Sequence, residues 1–454
     1  MKVKAKAKHK LKSYLRWDML YILDKIDQGG EYSNVVLDRY IQNSKRDQRD
    51  IDLLVRVVYG SVQRRKTLDF LIEPYIQGKK VESWVRSLLR MSVFQMVYLD
   101  RIPNYAIVDE AVTIAKTNGH QGLGKFVNGV LRQFMRHPLR SIELIKDPIK
   151  RLAITYSIDD WLVEYFSKHL SEESLERFLA SLNEEPLISA RINPLKITQK
   201  QAIDWFNLRG MPVEGSPISS FGLRFEKKTP IHSELFKEGA LTIQDESSML
   251  VAPLGQLKGH EKVLDVCAAP GGKATHIASL LDNGHLWALD ISQRKLKILA
   301  DHLDRMNLSD RVTVHATDAL KYSPDFQDLF DVIYLDAPCS GTGLMRRKPE
   351  IKYRKDQTSI DSLCQIQDQL LEKAASLLKP GGRLIYSTCS LVYEENEYQV
   401  QSFLKKHSNF MIDPVKEEEG VPKKLLTEEG YVRVWPQVYH TDGFFISRFI
   451  KSKD

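Results

Sequence analysis

The 454-residue sequence has only four cysteines, Cys267, Cys339, Cys364 and Cys389. They are too few and too widely spaced for a disulfide scaffold. None stands in a C-x-x-C pair, so no metal site is expected. No apolar run approaches the ~20 residues that a membrane-spanning helix needs. The N-terminus is rich in lysine, but no apolar stretch follows it as in a signal peptide. Neither a G-x-G-x-x-G dinucleotide turn nor a G-x-x-x-x-G-K-[ST] phosphate loop occurs. These absences leave a reducing, cytoplasmic location, with no membrane and no metal.

Beyond its first sixteen residues the chain also lacks any excess of charge. Residues 1–16 carry Lys2, Lys4, Lys6, Lys8, Lys10, Lys12 and Arg16 without one acid, which accounts for the whole net charge of +7. Residues 1–140 hold 26 basic and 14 acidic side chains; residues 141–454 hold 40 and 45. A basic N-terminal third bears on partners, nucleic acid foremost, rather than on fold. The length allows about two to four domains.

What is present divides into segments. After a basic tail (1–16) comes a domain at 17–140, and from residue 13 to 136 apolar positions recur at three- and four-residue spacing, as in Leu15, Met19, Ile22, Leu23 and Ile26, with Gly29-Gly30 and Asn118-Gly119 as stops. No β-alternation appears, so this domain is all-helical. Residues 141–239 read as a small α+β segment. Residues 240–454 alternate short strands with helices, which implies a doubly wound, mostly parallel sheet closed by an antiparallel pair, YVRVWPQVYH and GFFISRFI. Ligands of such sheets bind at the carboxyl ends of the strands.

The first strand end reads Asp265-Val266-Cys267-Ala268-Ala269-Pro270-Gly271-Gly272-Lys273. The two glycines permit a tight turn and close ligand approach, and the following helix offers unpaired N–H groups. Asp290 ends the next strand and suits ribose hydroxyls. Asp318 follows the third, and Asp336 ends the fourth. A glycine turn alone fits a merely structural turn. Acids at successive strand ends favour a nucleoside ligand without phosphate and with positive charge, and S-adenosylmethionine fits that description.

Cys339 follows Asp336 in the turn after the fourth strand, and Cys389 ends the fifth. Cys364 sits mid-helix and reads as a core residue. Two nucleophilic thiols beside a methyl donor suit the chemistry of cytosine, whose carbon 5 attacks an electrophile only after a thiolate has added to carbon 6. Between the thiols lies RRKPEIKYRK (346–355). Its Arg346, Arg347, Lys348, Lys352 and Arg354, with Tyr353 among them, suit a strip that tracks an RNA backbone.

On the motifs CAAPGGK, DAPCSGTG and STCS, with QDESS (244–248) and DGFFISRF (442–449), residues 240–450 resemble the S-adenosylmethionine-dependent RNA cytosine-5 methyltransferases of the Sun/Fmu type. On PNYAIVDEAVTIAK and GKFVNGVLR, the helical part resembles the NusB antitermination-factor domain. The resemblance implies a doubly wound, Rossmann-like catalytic domain and small-subunit (16S) ribosomal RNA as partner; a monomer is expected. It implies that Cys267, Ala268, Ala269, Pro270, Gly271, Gly272, Lys273, Asp290, Asp318 and Asp336 hold or border the cofactor. Cys389 would be the nucleophile, Cys339 would assist product release, and Asp336 would activate cytosine or border the cofactor. DNA cytosine-5 methyltransferases use the Pro-Cys cysteine as nucleophile instead, and spacing alone does not choose between the two.

Overall fold

The computed structural model describes residues 14–226, 229–324 and 329–453. Residues 1–13 of the basic tail lie outside the described residues. The chain forms two compact units. One comprises residues 1–183 and 347–354; the other comprises 184–346 and 355–454.

The first unit is helical. Its helices are Leu15–Gly29, Ser33–Asn43, Gln48–Gln63, Arg65–Ile76, Ser83–Tyr98, Asn104–Asn118, Gln121–Arg136, Pro148–Tyr156, Asp160–Ser167 and Glu172–Ser181, with the short Ile351–Arg354 added from the later segment. The glycine stop holds: Gly30 adopts φ +65° after the first helix, a left-handed cap that costs glycine nothing. Leu15 of that helix packs half-buried against the core, and Met19, Ile22, Leu23 and Ile26 are buried with Leu54, Val57, Leu88, Leu89, Ile114 and Leu131, all 0–4% exposed. Each such side chain contributes roughly 1.5–3 kcal/mol of burial. Arg16 departs from the expected tail. It is buried in the first helix, its guanidinium paired with Glu110 at 2.6 Å and donating to Gln95 at 2.8 Å.

The second unit holds two sheets. Strands β1 (Ile188–Ile192), β2 (Val213–Gly215), β3 (Gly222–Phe225) and β4 (Leu241–Ile243) form an antiparallel sheet in the order β2-β3-β1-β4. The expected 141–239 segment is thus divided: its helices Pro148–Tyr156, Asp160–Ser167 and Glu172–Ser181 belong to the first unit, and its strands, with the helices Gln199–Asn207 and Glu234–Lys237, to the second.

The larger sheet contains β5 (Lys262–Asp265), β6 (His285–Asp290), β7 (Val312–Ala316), β8 (Phe330–Asp336), β9 (Leu378–Thr388), β10 (Phe410–Ile412), β11 (Val432–Val434) and β12 (Phe444–Lys451). Its order is β10-β12-β9-β8-β5-β6-β7, with β11 also paired to β12. Strands β5 to β9 are parallel, while β12 is antiparallel to β9, β10 and β11. The expected doubly wound sheet and its closing antiparallel pair are both present. Winding reverses between β5 and β8, which are neighbours. A crevice opens at such a reversal, beyond the carboxyl ends of the strands. Among the described residues no helix is long and apolar enough to cross a membrane.

Candidate active site

The reversal brings the glycine turn and both cysteine turns together. Gly271 adopts φ +112° and caps the helix Gly272–Ser279. A Cβ there would lie 2.7 Å from Leu299 Cδ1 and 3.2 Å from its Cα, so only glycine fits without displacement. Gly272 differs: an added Cβ would meet nothing nearer than Gln244 at 3.8 Å, leaving that face open to a ligand. The Ala269 N–H donates to Asp290 Oδ2 at 3.2 Å, and the Ser292 N–H to Asp290 Oδ1 at 2.8 Å, which fixes that carboxylate against the turn. Asp318 accepts from the Leu320 N–H at 3.1 Å and caps a short helix.

Asp265, at the end of β5, is 1% exposed. Its Oδ1 accepts from the Cys267 N–H at 3.3 Å, while Oδ2 has no hydrogen-bond partner among the described residues. Burial, then the Asp336 charge, push its carboxyl up to about 7. The unpartnered acceptor of Asp265 and the open face at Gly272 are compatible with a nucleoside cofactor that brings hydrogen-bond donors, as S-adenosylmethionine does. The Cys267 thiol is pushed up by burial and then by Asp265, which keeps it inert.

The two sulfurs of Cys339 and Cys389 lie 3.3 Å apart, both half-buried. Cys339 is raised by its hydrogen bond to Cys389 and by burial. Lys273 reaches from the glycine turn to Asp336 Oδ2 at 2.7 Å. Burial alone would lower its ammonium; the charge and hydrogen bond of Asp336, with the Cys389 and Asp265 charges, raise it on balance. Ser387 donates to Asp336 Oδ1 at 3.0 Å. One crevice therefore holds two thiols, a protonated lysine and its carboxylate. The sequence has both cysteines and Asp336 at strand ends and Lys273 in the glycine turn, but carries no signal for the Lys273–Asp336 pair.

Residues 346–355 require a correction. They do not form a solvated cationic strip. Arg346 is 4% exposed, donates to Pro436 O at 3.1 Å and lies 3.7 Å from Glu184. Lys352 is 0% exposed and donates to Asn183 Oδ1 at 2.8 Å. Tyr353, expected to stack on bases, bonds Ser157 and Gln63 O through its hydroxyl. Arg354 caps the first helix through Ile26 O, Gly30 O and Glu31 O, and Lys348 lies over the Tyr32 ring at 5.2 Å. Arg347 is also half-buried within the helical unit. A run of cations reads as surface in one dimension; here helix carbonyls and buried polar groups occupy it. Cys364 is half-buried mid-helix and its thiol is pushed up to about 11 by burial. Among the described residues no His, Cys, Asp and Glu cluster could hold a metal ion.

Comparison with known proteins places residues 253–450 in the family described as 16S rRNA methyltransferase RsmB/F. Residues 16–136 match the NusB family, and 158–232 the ferredoxin-like domain of RsmF/B-like methyltransferases. The chain is 38% identical over 442 residues to a Bacillus subtilis (strain 168) protein named probable ribosomal RNA small subunit methyltransferase B, covering 96% of this chain and 98% of that one. It is 30% identical to ribosomal RNA small subunit methyltransferase B of Photorhabdus laumondii subsp. laumondii, covering 94% and 96%. The crystal structure of PH0851 superposes with a TM-score of 0.81 at 28% identity, covering 95% of this chain and 98% of that one.

Proposed function

The chain belongs to the ribosomal RNA small subunit methyltransferase B family, and on that premise we propose that it methylates carbon 5 of a cytosine in small-subunit ribosomal RNA through a covalent bond from Cys389. S-adenosylmethionine would supply the electrophilic methyl group. The turn Cys267–Lys273, with Asp265, Asp290 and Asp318, would hold it. The observation that carries the reading is the pair of sulfurs 3.3 Å apart beside the Lys273–Asp336 pair.

Each group has a task. The Cys389 sulfur adds to carbon 6 and makes carbon 5 an enamine carbon. Negative charge then develops on the ring at nitrogen 3 and the neighbouring oxygen. The protonated Lys273, held by Asp336, meets that charge in a site with little water. After methyl transfer the proton at carbon 5 passes to a base, and the carbon 6–sulfur bond breaks. Cys339 assists this release. Its thiol, raised and so still protonated, lies 3.3 Å from the departing Cys389 sulfur, which takes the electron pair of the breaking bond. Carbon 6 of a stacked cytosine is shielded, so the target lies in a loop or leaves its stack.

With Arg346 and Lys352 buried and Arg347, Lys348, Tyr353 and Arg354 half-buried, the helical unit offers a different surface for RNA. A groove of about 690 Å³ between the helices Asn104–Asn118 and Gln121–Arg136 is lined by Lys116, Lys125, Arg132 and Arg136, with Asp109 its single acid. Tyr105 stands at its side, 77% exposed. Gly124 lets the Lys116 stem cross the facing helix, since a Cβ there would meet Lys116 Cγ at 2.3 Å. Such a groove suits the backbone of single-stranded RNA, with the tyrosine as a stacking face.

The test is methyl transfer from labelled S-adenosylmethionine to unmethylated small-subunit ribosomal RNA, with duplex DNA assayed in parallel. Wild-type protein should label RNA, and Cys389→Ala should label neither. Preference for DNA, or full activity of Cys389→Ala, would overturn the reading.

A further inference from the structure

Glu395 has no place in the chemistry above, yet it is bound to both cysteine turns. It is a carboxylate with 0% exposure, just before the helix Glu397–Lys406. Its Oε1 accepts from the Ser340 N–H at 2.7 Å and from Gln367 Nε2 at 3.1 Å. Its Oε2 accepts from the Ser340 and Ser390 hydroxyls, each at 2.5 Å. Ser340 is the residue after Cys339, and Ser390 the residue after Cys389. The two hydroxyls are themselves 3.1 Å apart. One buried carboxylate therefore bridges the residues that follow the two sulfurs.

The surroundings fix the carboxylate in turn. Tyr386 donates to Glu395 O at 2.6 Å. Asn396, next in the chain, donates to Ser390 O at 2.9 Å and accepts from Thr388 at 2.5 Å, on either side of Cys389. A buried carboxylate is costly unless its acceptor sites are filled. Hydrogen bonds to an ionised acceptor are roughly twice as strong as neutral ones. Removing the carboxylate would leave two hydroxyls and an amide without their acceptor between turns that carry the reacting atoms.

We propose that Glu395 is a positioning residue for methyl transfer, a bridge that holds the Cys339 and Cys389 turns together so that their sulfurs meet. The inference rests on the reading of the two cysteines given above. The bridge also has an electrostatic side. After the hydrogen bond to Cys389 and burial, the Glu395 charge is among the causes that raise the Cys339 thiol. The carboxylate thus helps to decide which sulfur keeps the proton, as well as where the sulfurs sit.

The experiment compares full-length Glu395→Gln, Ser340→Ala/Ser390→Ala, Cys389→Ala and wild-type proteins on unmethylated small-subunit ribosomal RNA. It also follows iodoacetamide alkylation of each cysteine against pH by peptide mass spectrometry. Displacement of a reacting group by about 1 Å can cost on the order of 100-fold. Glu395→Gln should therefore lower kcat by up to about 100-fold, leave KM for RNA near wild type and shift Cys339 alkylation to lower pH. The double serine variant, which keeps the charge and breaks the bridge, should lower kcat without that shift. Two results overturn the proposal. One is a folded Glu395→Gln protein with wild-type kcat. The other is a loss of kcat that tracks a loss of thermal stability, with Cys339 alkylation unmoved. If Cys389→Ala remains active, the cysteine assignment fails instead, whatever Glu395→Gln does.

Discussion

At the scale of single residues, Asp265 makes a pH-dependent claim. Its carboxyl is raised from 3.8 to about 7, mainly by burial. The folded chain therefore holds this proton more tightly than the unfolded chain does. The resulting stability is fully present below the unfolded value and is lost as pH rises through about 7. Asp265→Asn keeps an acceptor for the Cys267 N–H and removes the titration. Melting temperatures of the two proteins should therefore diverge in favour of the variant as pH rises from 4 to 8. A constant difference would show that Asp265 does not titrate in this range. The same scale shows what the sequence discloses. Cys339 and Cys389 are legible because a thiol where a strand gives way to a polar turn is unlike a thiol in an apolar run. The orphaned oxygen of Asp265 is not legible, since it depends on the neighbouring strands. Nor is Glu395: its partner Ser340 is 55 positions away, and only the β8–β9 pairing makes them neighbours.

Among elements, three turns are woven together by their backbones. The Gly343 N–H donates to Cys389 O at 2.9 Å, and the Gly443 N–H to Gly343 O at 2.9 Å. A Cβ on Gly343 would lie 2.1 Å from Gly443 O and 2.8 Å from Cys389 O. These are backbone atoms, which cannot swing aside as a side chain can. Gly343→Ala should therefore destabilise the protein by about 1–3 kcal/mol, read as a lower urea midpoint, and reduce methyl transfer by moving Cys389. An unchanged midpoint would contradict the close approach. The alternation of strands and helices in residues 240–454 is legible because period 2 and period 3.6 patterns follow one another with glycine and proline between them. Strands such as β2 and β4 have only three residues, too few for a period, and their sheet is visible only once paired. The 346–355 run misleads for a related reason. Its charges are plain in the sequence, whereas the helix carbonyls and the Asn183 amide that receive them come from distant segments.

For the whole molecule, charge and chemistry separate. Of the seven cations in residues 1–16, Arg16 belongs to the helical core, and the lysines at 2–12 lie outside the described residues. On the proposed reading, the groove cations Lys116, Lys125, Arg132 and Arg136 would supply the helical unit's contribution to RNA affinity. Each phosphate contact with a single strand adds about 0.7 to the log–log salt slope. Replacing the four by alanine, or deleting residues 1–12, should each flatten that slope and weaken RNA binding while leaving the single-turnover rate at saturating RNA unchanged. Slopes equal to wild type would assign the affinity elsewhere. The central claim concerns the covalent bond, and Cys339→Ala tests it most directly. Incubated with S-adenosylmethionine and unmethylated small-subunit ribosomal RNA, then denatured and digested, this variant should yield a peptide containing Cys389 joined to a methylated cytosine. No adduct, or one carried by another residue, would contradict the account.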